Sequence, residues 1–493
     1  METIHLKTVD PISQDLLRRA ASLNVKTTWD RYENLQPQDG FLRVGLSCPF
    51  GCLQGPCRID PFGRGPDYGL CGLDRDGMAA ALLLRLSLTG ALESLNDISH
   101  PDKIGMASWP APLDAMVTRA LKNFGGNGLS TEEIHRAALL LERPQETPEH
   151  LIQRALRLGI LTLGISEQRE NSSDSPPNPR CKAGYGLLAG DEITIAICGH
   201  PHREVTEALI QESSRKSSAP VQLVSLGEWI RTNDAFLPFA CTSGEAELTL
   251  ISGKINLVVL GKGVDPSIRE LCRNLKVPVV RDHEVRGTGE LLRLARQSRD
   301  ILTPTDFNPD PSLVGETRVI TTVQDLEETV KRTAVAKLAL LGGADTPQQP
   351  FGWIPVEVAS ALRAEGYLAV GWGDAALWML KNGHFSETHK QPNGILDPFK
   401  GPLLALKTMA ALGRPEDLQG ICFTGLRACR DLSLALGLAS LGLKVSVAVP
   451  LPLWGSERVR NCLADTIGVT GGSLTHFDHP AHADEILEWF TKG

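Results

Sequence analysis

Four cysteines within a short stretch near the start of the chain constrain it more than any other feature. They are Cys48, Cys52, Cys57 and Cys71, spaced C-x3-C-x4-C-x13-C among many glycines and prolines. Four thiolates at such spacing are enough to ligate one [4Fe-4S] cluster, and glycines on the intervening turns let the backbone approach it closely. The alternatives are a zinc site and two disulfides. Zinc sites usually show two short C-x2-C pairs, which this spacing lacks, so the cluster is favoured.

Composition narrows the class of protein. The chain has 493 residues, 42% of them hydrophobic and 22% charged, which is typical of a folded soluble protein of about three domains. A net charge of −8 argues against binding to nucleic acid or to an anionic membrane. No apolar run predicts a membrane span, and the N-terminus resembles neither a signal nor a transit peptide. We therefore predict a cytoplasmic protein, in which eleven cysteines favour metal ligation over disulfides.

The first part of the chain, residues 1–185, is predicted to be a helical domain that carries the cysteine loop 48–71. The stretch Asp74–Leu95 is rich in alanine and leucine and predicts a buried helix. Ser130 and Glu133 have the spacing of a capping box at a helix start. A polar, proline-rich segment at 170–179 is interpreted as a linker or an exposed loop.

From about residue 190 the pattern changes to short apolar strands that alternate with helices. The expected strands are 192–198, 221–226, 255–261, 277–280, 337–343, 367–373, 421–425 and 444–450. This alternation predicts an α/β fold with two doubly wound (Rossmann-like) parallel-sheet domains at 186–330 and 331–493. In such folds functional sites lie at the carboxyl ends of the strands. No G-x-G-x-x-G motif follows a strand in the required context, which argues against dinucleotide binding.

Seven short motifs, each present once, follow one another along the chain. They are WDRYENLQPQ at 29–38, CLQGPCRIDPFG at 52–63, GLCG at 69–72, GHP at 199–201, PFACTSGE at 238–245, WGDAAL at 372–377 and PLPLWGSERV at 450–459. Together they resemble the nickel–iron carbon monoxide dehydrogenases, within the hybrid-cluster (prismane) superfamily. The resemblance implies a helical domain followed by two α/β domains.

The resemblance also implies up to three metal clusters. The first is a [4Fe-4S] cluster internal to each subunit, held by the four-cysteine loop, although the first gap here is three residues where the family usually has two. The second bridges the two subunits of a homodimer. Its two ligand positions are Asp39 and Ser47, and neither supplies a soft thiolate. We therefore predict that the bridging cluster is absent, which leaves the homodimer itself an open question.

The third cluster of the family is the nickel–iron–sulfur active centre, held by one histidine and five cysteines. By resemblance, these six positions are His200, Cys241, Gly263, Gly343, Asp374 and Cys429. Three of them thus lack a ligand of the family type. The family's acid–base lysine corresponds to Arg458, which stays protonated, and its acid–base histidine falls in GALESLND (90–97), which contains no histidine. We predict that nickel is not bound and that carbon monoxide is not oxidised.

Two functions then compete. The chain could be an electron-transfer or accessory subunit that serves a redox partner protein or a larger complex. It could instead be an oxidoreductase with a rebuilt iron–sulfur(–oxygen) cluster, similar to the hydroxylamine reductases. The residues proposed for this second cluster are His200, Cys241, Glu245, Asp374, Cys429 and Arg458, with His202 and Cys422 as further members. Carbon monoxide oxidation is a minor alternative.

Other residues have plainer interpretations. Cys181, Cys272 and Cys462 are isolated and are interpreted as small buried side chains. Asp374 could simply be a helix N-cap before AALWML. The segment HFDHPAH (476–482) could bind a metal adventitiously, but a solvated C-terminal segment is favoured.

Overall fold

The α/β prediction is confirmed. The computed structural model of the chain has one large, mostly parallel sheet with helices packed against both faces, preceded by a layer of helices. The residues that the structure describes are 6–35, 48, 54–55, 57, 59–60, 64–96, 109, 111–126, 128–142, 146–172, 179–213, 220–232, 235–285, 287–301, 305–333, 337–385, 394–398, 400–451, 453, 455–477 and 479–492.

The order of elements follows the predicted alternation. The helices are α1 (Pro11–Ser22), α2 (Thr28–Leu35), α3 (Arg75–Asn96), α4 (Ala111–Asn123), α5 (Glu132–Glu142), α6 (Pro148–Ser172), α7 (Arg203–Ser213), α8 (Ala246–Ile251), α9 (Pro266–Asn274), α10 (Thr288–Ile301), α11 (Val323–Thr333), α12 (Trp353–Ala364), α13 (Gly373–Lys381), α14 (Gly401–Ala411), α15 (Cys429–Ser440), α16 (Glu457–Gly468) and α17 (Ala483–Lys492). The strands are β1 (Arg180–Ala183), β2 (Ile193–Cys198), β3 (Val221–Leu226), β4 (Phe239–Cys241), β5 (Ile255–Leu260), β6 (Val279–Arg281), β7 (Gly315–Ile320), β8 (Lys337–Gly342), β9 (Tyr367–Gly371), β10 (Ile395–Leu396), β11 (Leu418–Phe423), β12 (Lys444–Val447) and β13 (Ser473–His476).

The two predicted sheets are joined edge to edge. Among the described residues thirteen strands form one sheet, in the order β13-β12-β11-β8-β9-β10-β7-β1-β4-β3-β2-β5-β6. The join is the pairing of β1 with β7, which is antiparallel and sets Ala183 opposite Gly315. The described strands on each side of this join run parallel to one another. The division at residues 185 and 330 remains a prediction.

Both faces of the central strands are buried. In β8, Leu338 and Leu340 contact one hydrophobic core, whereas Ala339 and Leu341 contact another on the opposite face. A strand covered on both faces needs apolar residues at every position, because neither face reaches water. This is why KLALLG was recognisable as a strand from its sequence.

The helical layer shares a core with the second half of the sheet. Helix α3 packs against α6, and α15 packs against both. Glycines allow the close approach: a Cβ at Gly159 would lie 2.7 Å from the backbone nitrogen of Gly437, and Gly90 meets the carbonyl of Cys429. A side-chain hydrogen bond of 2.8 Å between Thr162 and Ser433 links α6 to α15. The helical layer therefore positions the start of α15.

Helix α3 confirms the prediction of a buried helix. Within the described part of the chain, Arg75–Leu95 is one stretch long and apolar enough to cross a membrane by length and composition. However, 61% of its most apolar window is buried inside the fold, as in a core helix, so this is weak evidence for a membrane span.

The predicted capping box at α5 is formed only in part. Ser130 accepts a hydrogen bond from the backbone N–H of Glu132. The Glu133 side chain instead forms buried ion pairs with Arg157 and Arg154, at 2.6 and 3.1 Å. The Glu133 carboxylate binds these arginines instead of a backbone N–H at the helix start, because hydrogen bonds between two charged groups are stronger than those to a neutral donor.

The N-terminal segment lies across both halves of the sheet. Leu16 and Ala20 of α1 pack into the core of the first half. The preceding residues pair with the second half, since the N–H of Val9 donates to the carbonyl of Phe351. Asp10, which caps α1, is thereby placed between the two halves.

Candidate functional site

The cysteine loop closes tightly on itself. The N–H of Cys48 donates to the carbonyl of Cys57 over 2.8 Å, which brings the first and third cysteines of the loop together. The N–H of Leu70, next to Cys71, points at the sulfur of Cys57 over 3.3 Å. Gly72 adopts a positive φ of 85°, which suits glycine and ends the turn. Three of the four predicted ligands are thus held in one turn-rich segment, whereas Cys52 lies outside the described residues.

These residues fit a [4Fe-4S] cluster. The described cysteines of the loop are not disulfide-bonded. A backbone N–H directed at a cysteine sulfur is the kind of contact that tunes cluster ligands. Cys48 and Cys57 pack against the large core that α3 and α6 share, whereas Cys71 is exposed. Loop and core together would hold a cluster with one edge close to the protein surface.

A second group of polar residues gathers where the turns after β4, β8 and β9 meet. Asp374, in the first turn of α13, accepts hydrogen bonds from the N–H and the hydroxyl of Ser243. It also accepts one of 3.0 Å from the N–H of Asp345. The side chain is 5% exposed. Asp374 is therefore not the N-cap of its own helix but a link between three different turns.

Asp345 extends this link towards the core. Its carboxyl group accepts hydrogen bonds from the Trp378 indole, at 2.8 Å, and from the Thr242 hydroxyl. Burial and the neighbouring charge of Asp374 hold the pKa of Asp345 well above its usual value. Both causes disfavour the charged form of the Asp345 carboxyl group.

Glu245 forms the third buried carboxylate of this group. It is fully buried and accepts hydrogen bonds of 2.8 Å at both oxygens from Lys381. It also accepts one of 2.6 Å from Ser13 and one of 3.0 Å from the N–H of Thr242. Lys381 pairs in addition with Asp10 at 2.7 Å. Burial alone would lower the pKa of Lys381, but the two carboxylates outweigh it and raise that pKa.

We call Glu245, Asp345 and Asp374 the carboxylate network. Its members bond to donors from β4–α8, β8–α12 and β9–α13, so they join the two halves of the sheet. Their oxygens face hydroxyls, backbone N–H groups, an indole and an ammonium. Such a set of donors satisfies carboxylates without any metal ion.

His200 lies beside a different carboxylate. Its ring nitrogen Nε2 is 3.5 Å from Glu228, which follows β3. Burial raises the pKa of Glu228, while His200 and Arg427 act in the opposite direction. Arg427 pairs with Asp265, and its positive charge also acts on Asp374. His202 belongs elsewhere, 3.6 Å from Asp282.

Arg458 does not join the other proposed site residues. It pairs with Glu149 at 2.8 Å and approaches Asp76, near the start of α3. Cys429 contacts Gly90, fourteen residues further along that helix. A rise of 1.5 Å per residue separates the two positions by about 21 Å. Arg458, which corresponds by resemblance to the family's acid–base lysine, thus forms an ion pair on the surface.

The cysteines outside the loop sit in apolar or closed surroundings. Burial, followed by the charge of Glu245, raises the pKa of Cys241 well above its usual value. Burial raises the pKa of Cys422 to about 12 and that of Cys429 to about 11. Cys422 lies on β11 in the core, away from the carboxylate network.

The residues at the six active-centre positions do not fit a nickel–iron–sulfur cluster. Gly343 has a positive φ of 99°, and a Cβ there would overlap the carbonyl oxygen of Gly425. Gly263 also has a positive φ, of 80°. Neither position suits a cysteine side chain. With Asp374 already bonded to protein donors, three of the six ligands are replaced by backbone turns or by hydrogen bonds.

Several residues of these groups were not identified from the sequence. Asp345, Lys381, Glu228 and Arg427 were not among the predicted site residues, although each lies within a few residues of a strand end or at a helix end. A charged residue directly after a buried strand was the available signal. Their pairing depends on contacts between turns that are distant in the chain.

Comparison with solved structures defines the class of fold. The chain superimposes on carbon monoxide dehydrogenase IV from Carboxydothermus hydrogenoformans with a TM-score of 0.79, covering 98% of both chains at 19% identity. It matches a chain in a structure of an acetyl-CoA synthase/carbon monoxide dehydrogenase with a TM-score of 0.77, covering 100% of this chain and 95% of the other at 17% identity. The fold is therefore that of the carbon monoxide dehydrogenases.

Sequence comparison shows the family. No model of a protein family matches the chain. It is 49% identical to the carbon monoxide dehydrogenase of Rhodospirillum rubrum over an alignment of 589 positions including gaps, covering 97% of this chain and 90% of the relative. This chain belongs to the carbon monoxide dehydrogenase family.

Proposed function

We propose that this chain is an iron–sulfur protein of the carbon monoxide dehydrogenase family that transfers electrons, or assists a redox complex, without oxidising carbon monoxide. It would hold one [4Fe-4S] cluster in its cysteine loop and would work with a redox partner in the cytoplasm. The observation that carries this proposal is the bonding of Asp374, at a position where the family has an active-centre cysteine.

The carboxylate network supports the loss of the nickel centre. In a metal site the ligands from separate turns are held together by the ion they share. Here Asp374 and Asp345 hold the same turns through hydrogen bonds to Ser243 and Thr242. Arg458, which corresponds by resemblance to the family's acid–base lysine, is paired with Glu149 on the surface. Hydrogen bonds between the turns at the strand ends thus hold these turns together within the fold of the family.

The cysteine loop supports the retained electron-transfer role. A [4Fe-4S] cluster bound there would accept and donate single electrons. Cys57 is held by backbone contacts to Cys48 and Leu70, whereas Cys71 is exposed. An exposed ligand edge would give a partner protein access. The structural relative from an acetyl-CoA synthase/carbon monoxide dehydrogenase supports an assembly with other subunits.

Two alternatives have observations in their favour. Carbon monoxide oxidation is favoured by the 49% identity to the Rhodospirillum rubrum protein. A rebuilt iron–sulfur(–oxygen) centre is favoured by the approach of His200 to Glu228, since imidazole and carboxylate can both bind iron. Against this second alternative, the cation of Arg427 acts on the same carboxylate and opposes a further positive charge.

The deciding experiment measures iron, nickel and acid-labile sulfide per chain in anaerobically purified protein, with EPR of the dithionite-reduced form. We expect about four irons, no nickel and one S = 1/2 signal. Carbon monoxide-dependent reduction of a viologen dye, with the Rhodospirillum rubrum enzyme as positive control, should be absent. Nickel in stoichiometric amount together with dye reduction would return the chain to carbon monoxide chemistry.

The rebuilt centre gives a different result in the same experiment. Iron well above four per chain, or a second EPR signal that changes with hydroxylamine, would establish it and overturn the accessory role. A His200→Ala variant then separates the two: the extra signal should disappear if His200 is a ligand. In the proposed electron-transfer protein this substitution leaves the iron content unchanged.

A further inference from the structure

Three potential metal ligands meet at the C-terminal end of the chain, remote in sequence from the cysteine loop. They are His479 and His482, just before α17, and Glu485, in the first turn of that helix. Their ligand atoms all lie within 4.8 Å of one another. Nε2 of His479 is 3.2 Å from a carboxylate oxygen of Glu485. In the part of the chain that the structure describes, this is the one group of three such side chains that meets this distance.

The backbone that carries these side chains is anchored rather than loose. The N–H of Ala481, between the two histidines, donates to the carbonyl of Ala448 over 2.8 Å, and Ala481 is fully buried. The N–H of His482 donates to Glu485 over 2.8 Å, which orients the carboxylate. The rings of His479 and His482 are exposed, as the interpretation of a solvated C-terminal segment predicts, but the backbone beside them is anchored.

Packing also orients one ring and the helix behind it. The His482 ring lies edge-on to Trp353 with centroids 5.5 Å apart. Helix α17 is fixed by the buried Ile486 and Phe490 and by a hydrogen bond of 3.1 Å from the Trp489 indole to Thr475. Ligands already held close to one another lose little further freedom when they bind an ion, and this preorganisation favours binding.

We propose that His479, His482 and Glu485 form a binding site for a divalent transition-metal ion of the zinc type. Two imidazoles and one carboxylate are a ligand set that Zn²⁺ takes in proteins, and three protein ligands leave a fourth position for water. The half-exposed rings are consistent with such an open position. The ion would bridge the β13–α17 connection and the first turn of α17. This inference does not depend on the proposed function.

The test is a titration of Zn²⁺ alone into tag-free holoprotein with its iron–sulfur cluster intact, in competition with a chromogenic chelator. We expect one Zn²⁺ per chain to bind, and expect His479→Ala and Glu485→Gln each to weaken binding at least tenfold. Glu485→Gln keeps an acceptor for the His482 N–H, so the helix start should survive. His135→Ala, an exposed histidine on α5, is the matched control and should bind as the wild type does.

Two further readouts separate this site from the cysteine loop. The visible absorption of the iron–sulfur cluster should stay unchanged during the titration. Zn²⁺ should raise the melting temperature of the wild type and of His135→Ala, but not of His479→Ala. Equal zinc binding by wild type and both site variants would overturn the proposal. So would a failure of the wild type to bind zinc, or uptake that bleaches the cluster equally in all variants.

Discussion

The cysteine loop and the carboxylate network both join backbone turns that have no regular hydrogen-bonding pattern of their own. The loop does so with thiol side chains and the network with carboxylates. The loop keeps thiol side chains close to the surface among glycine turns, with the Cys57 sulfur facing an N–H. The network links turns from the two halves of the sheet through Glu245, Asp345 and Asp374, each of which accepts hydrogen bonds from protein donors. Only the loop retains the soft ligands that an iron–sulfur cluster needs.

Under the proposed function, one scaffold keeps one metal site while another is lost. A buried carboxylate needs compensating donors, and here Ser243, Thr242 and Lys381 supply them. Once these bonds exist, they stabilise the turns that a cluster would otherwise join. The comparison predicts that substitutions in the loop will change metal content, whereas those in the network will change stability.

The largest expected effect is on iron. Cys57→Ser should reduce iron and acid-labile sulfide from about four per chain to nearly none, because a serine hydroxyl is too hard a ligand to replace the thiolate. Cys429→Ala, at a former active-centre position, should leave both unchanged. The measurement is iron and sulfide analysis of anaerobic protein. Loss of iron in Cys429→Ala would show that metal is also bound outside the cysteine loop, which contradicts this comparison.

The next effect is on stability. Asp374→Ala should lower the free energy of unfolding by about 2–4 kcal/mol, because it leaves the N–H groups of the half-buried Ser243 and Asp345 without their acceptor. Urea unfolding followed by circular dichroism measures this. Asp191→Ala, an exposed carboxylate, is the control and should change stability by less than about 0.5 kcal/mol.

The iron content of the same variant tests whether Asp374 binds metal. Asp374→Ala should bind as much iron as the wild type when purified at low temperature. Iron loss greater than the loss of folded protein would instead make Asp374 a metal ligand. Asp374→Asn keeps one acceptor oxygen and should be less destabilised than Asp374→Ala.

A third prediction concerns pH. The folded pKa of Asp345 lies above its unfolded value, so the folded chain keeps a proton that the unfolded chain has already released. This contribution to stability is complete at low pH and is lost as the pH rises through the folded pKa. Asp345→Asn removes the titration and keeps an acceptor for Trp378. Its melting temperature relative to the wild type should therefore rise as the pH increases above about 4, the unfolded pKa of an aspartate.

The same measurement can contradict the raised pKa of Asp345. Melting curves of both proteins at three pH values would suffice. If the difference in melting temperature stays constant, Asp345 does not titrate over this range in the folded chain. If it falls with rising pH, the folded state prefers the charged carboxylate and the direction of the pKa change is the opposite.

The smallest effect is expected at Arg458. Arg458→Ala should change neither iron content nor the urea midpoint measurably, because its ion pair with Glu149 is solvent-exposed. Iron analysis and urea unfolding test this together. A fall in iron would show that Arg458 supports the cysteine loop through Asp76, which lies five residues after Cys71. Arg136→Ala, which removes another exposed helix ion pair, is a suitable control.

Much of the fold was predictable because it depends on local pattern. The apolar runs that became β2, β3, β5, β8 and β9 are buried on both faces, so their hydrophobicity was continuous. The strands β1, β4, β7, β10 and β13 were missed. Four of them have only two to four residues and thus no periodicity to detect, and the six-residue β7 has charged, exposed residues among its buried ones. The joining of the two sheets followed from these missed strands.

The sequence alone determined which chemistry each region could carry. Four closely spaced cysteines in a glycine-rich loop predict a cluster, and the absence of thiolates at Gly263, Gly343 and Asp374 disfavours a second one. Only the tertiary structure decided what Asp374 does instead, and where Arg458 lies. Ligand type is a property of single residues, whereas the partners of a buried carboxylate come from turns more than a hundred residues apart. Such partners are selected by packing, which no local pattern in the chain encodes.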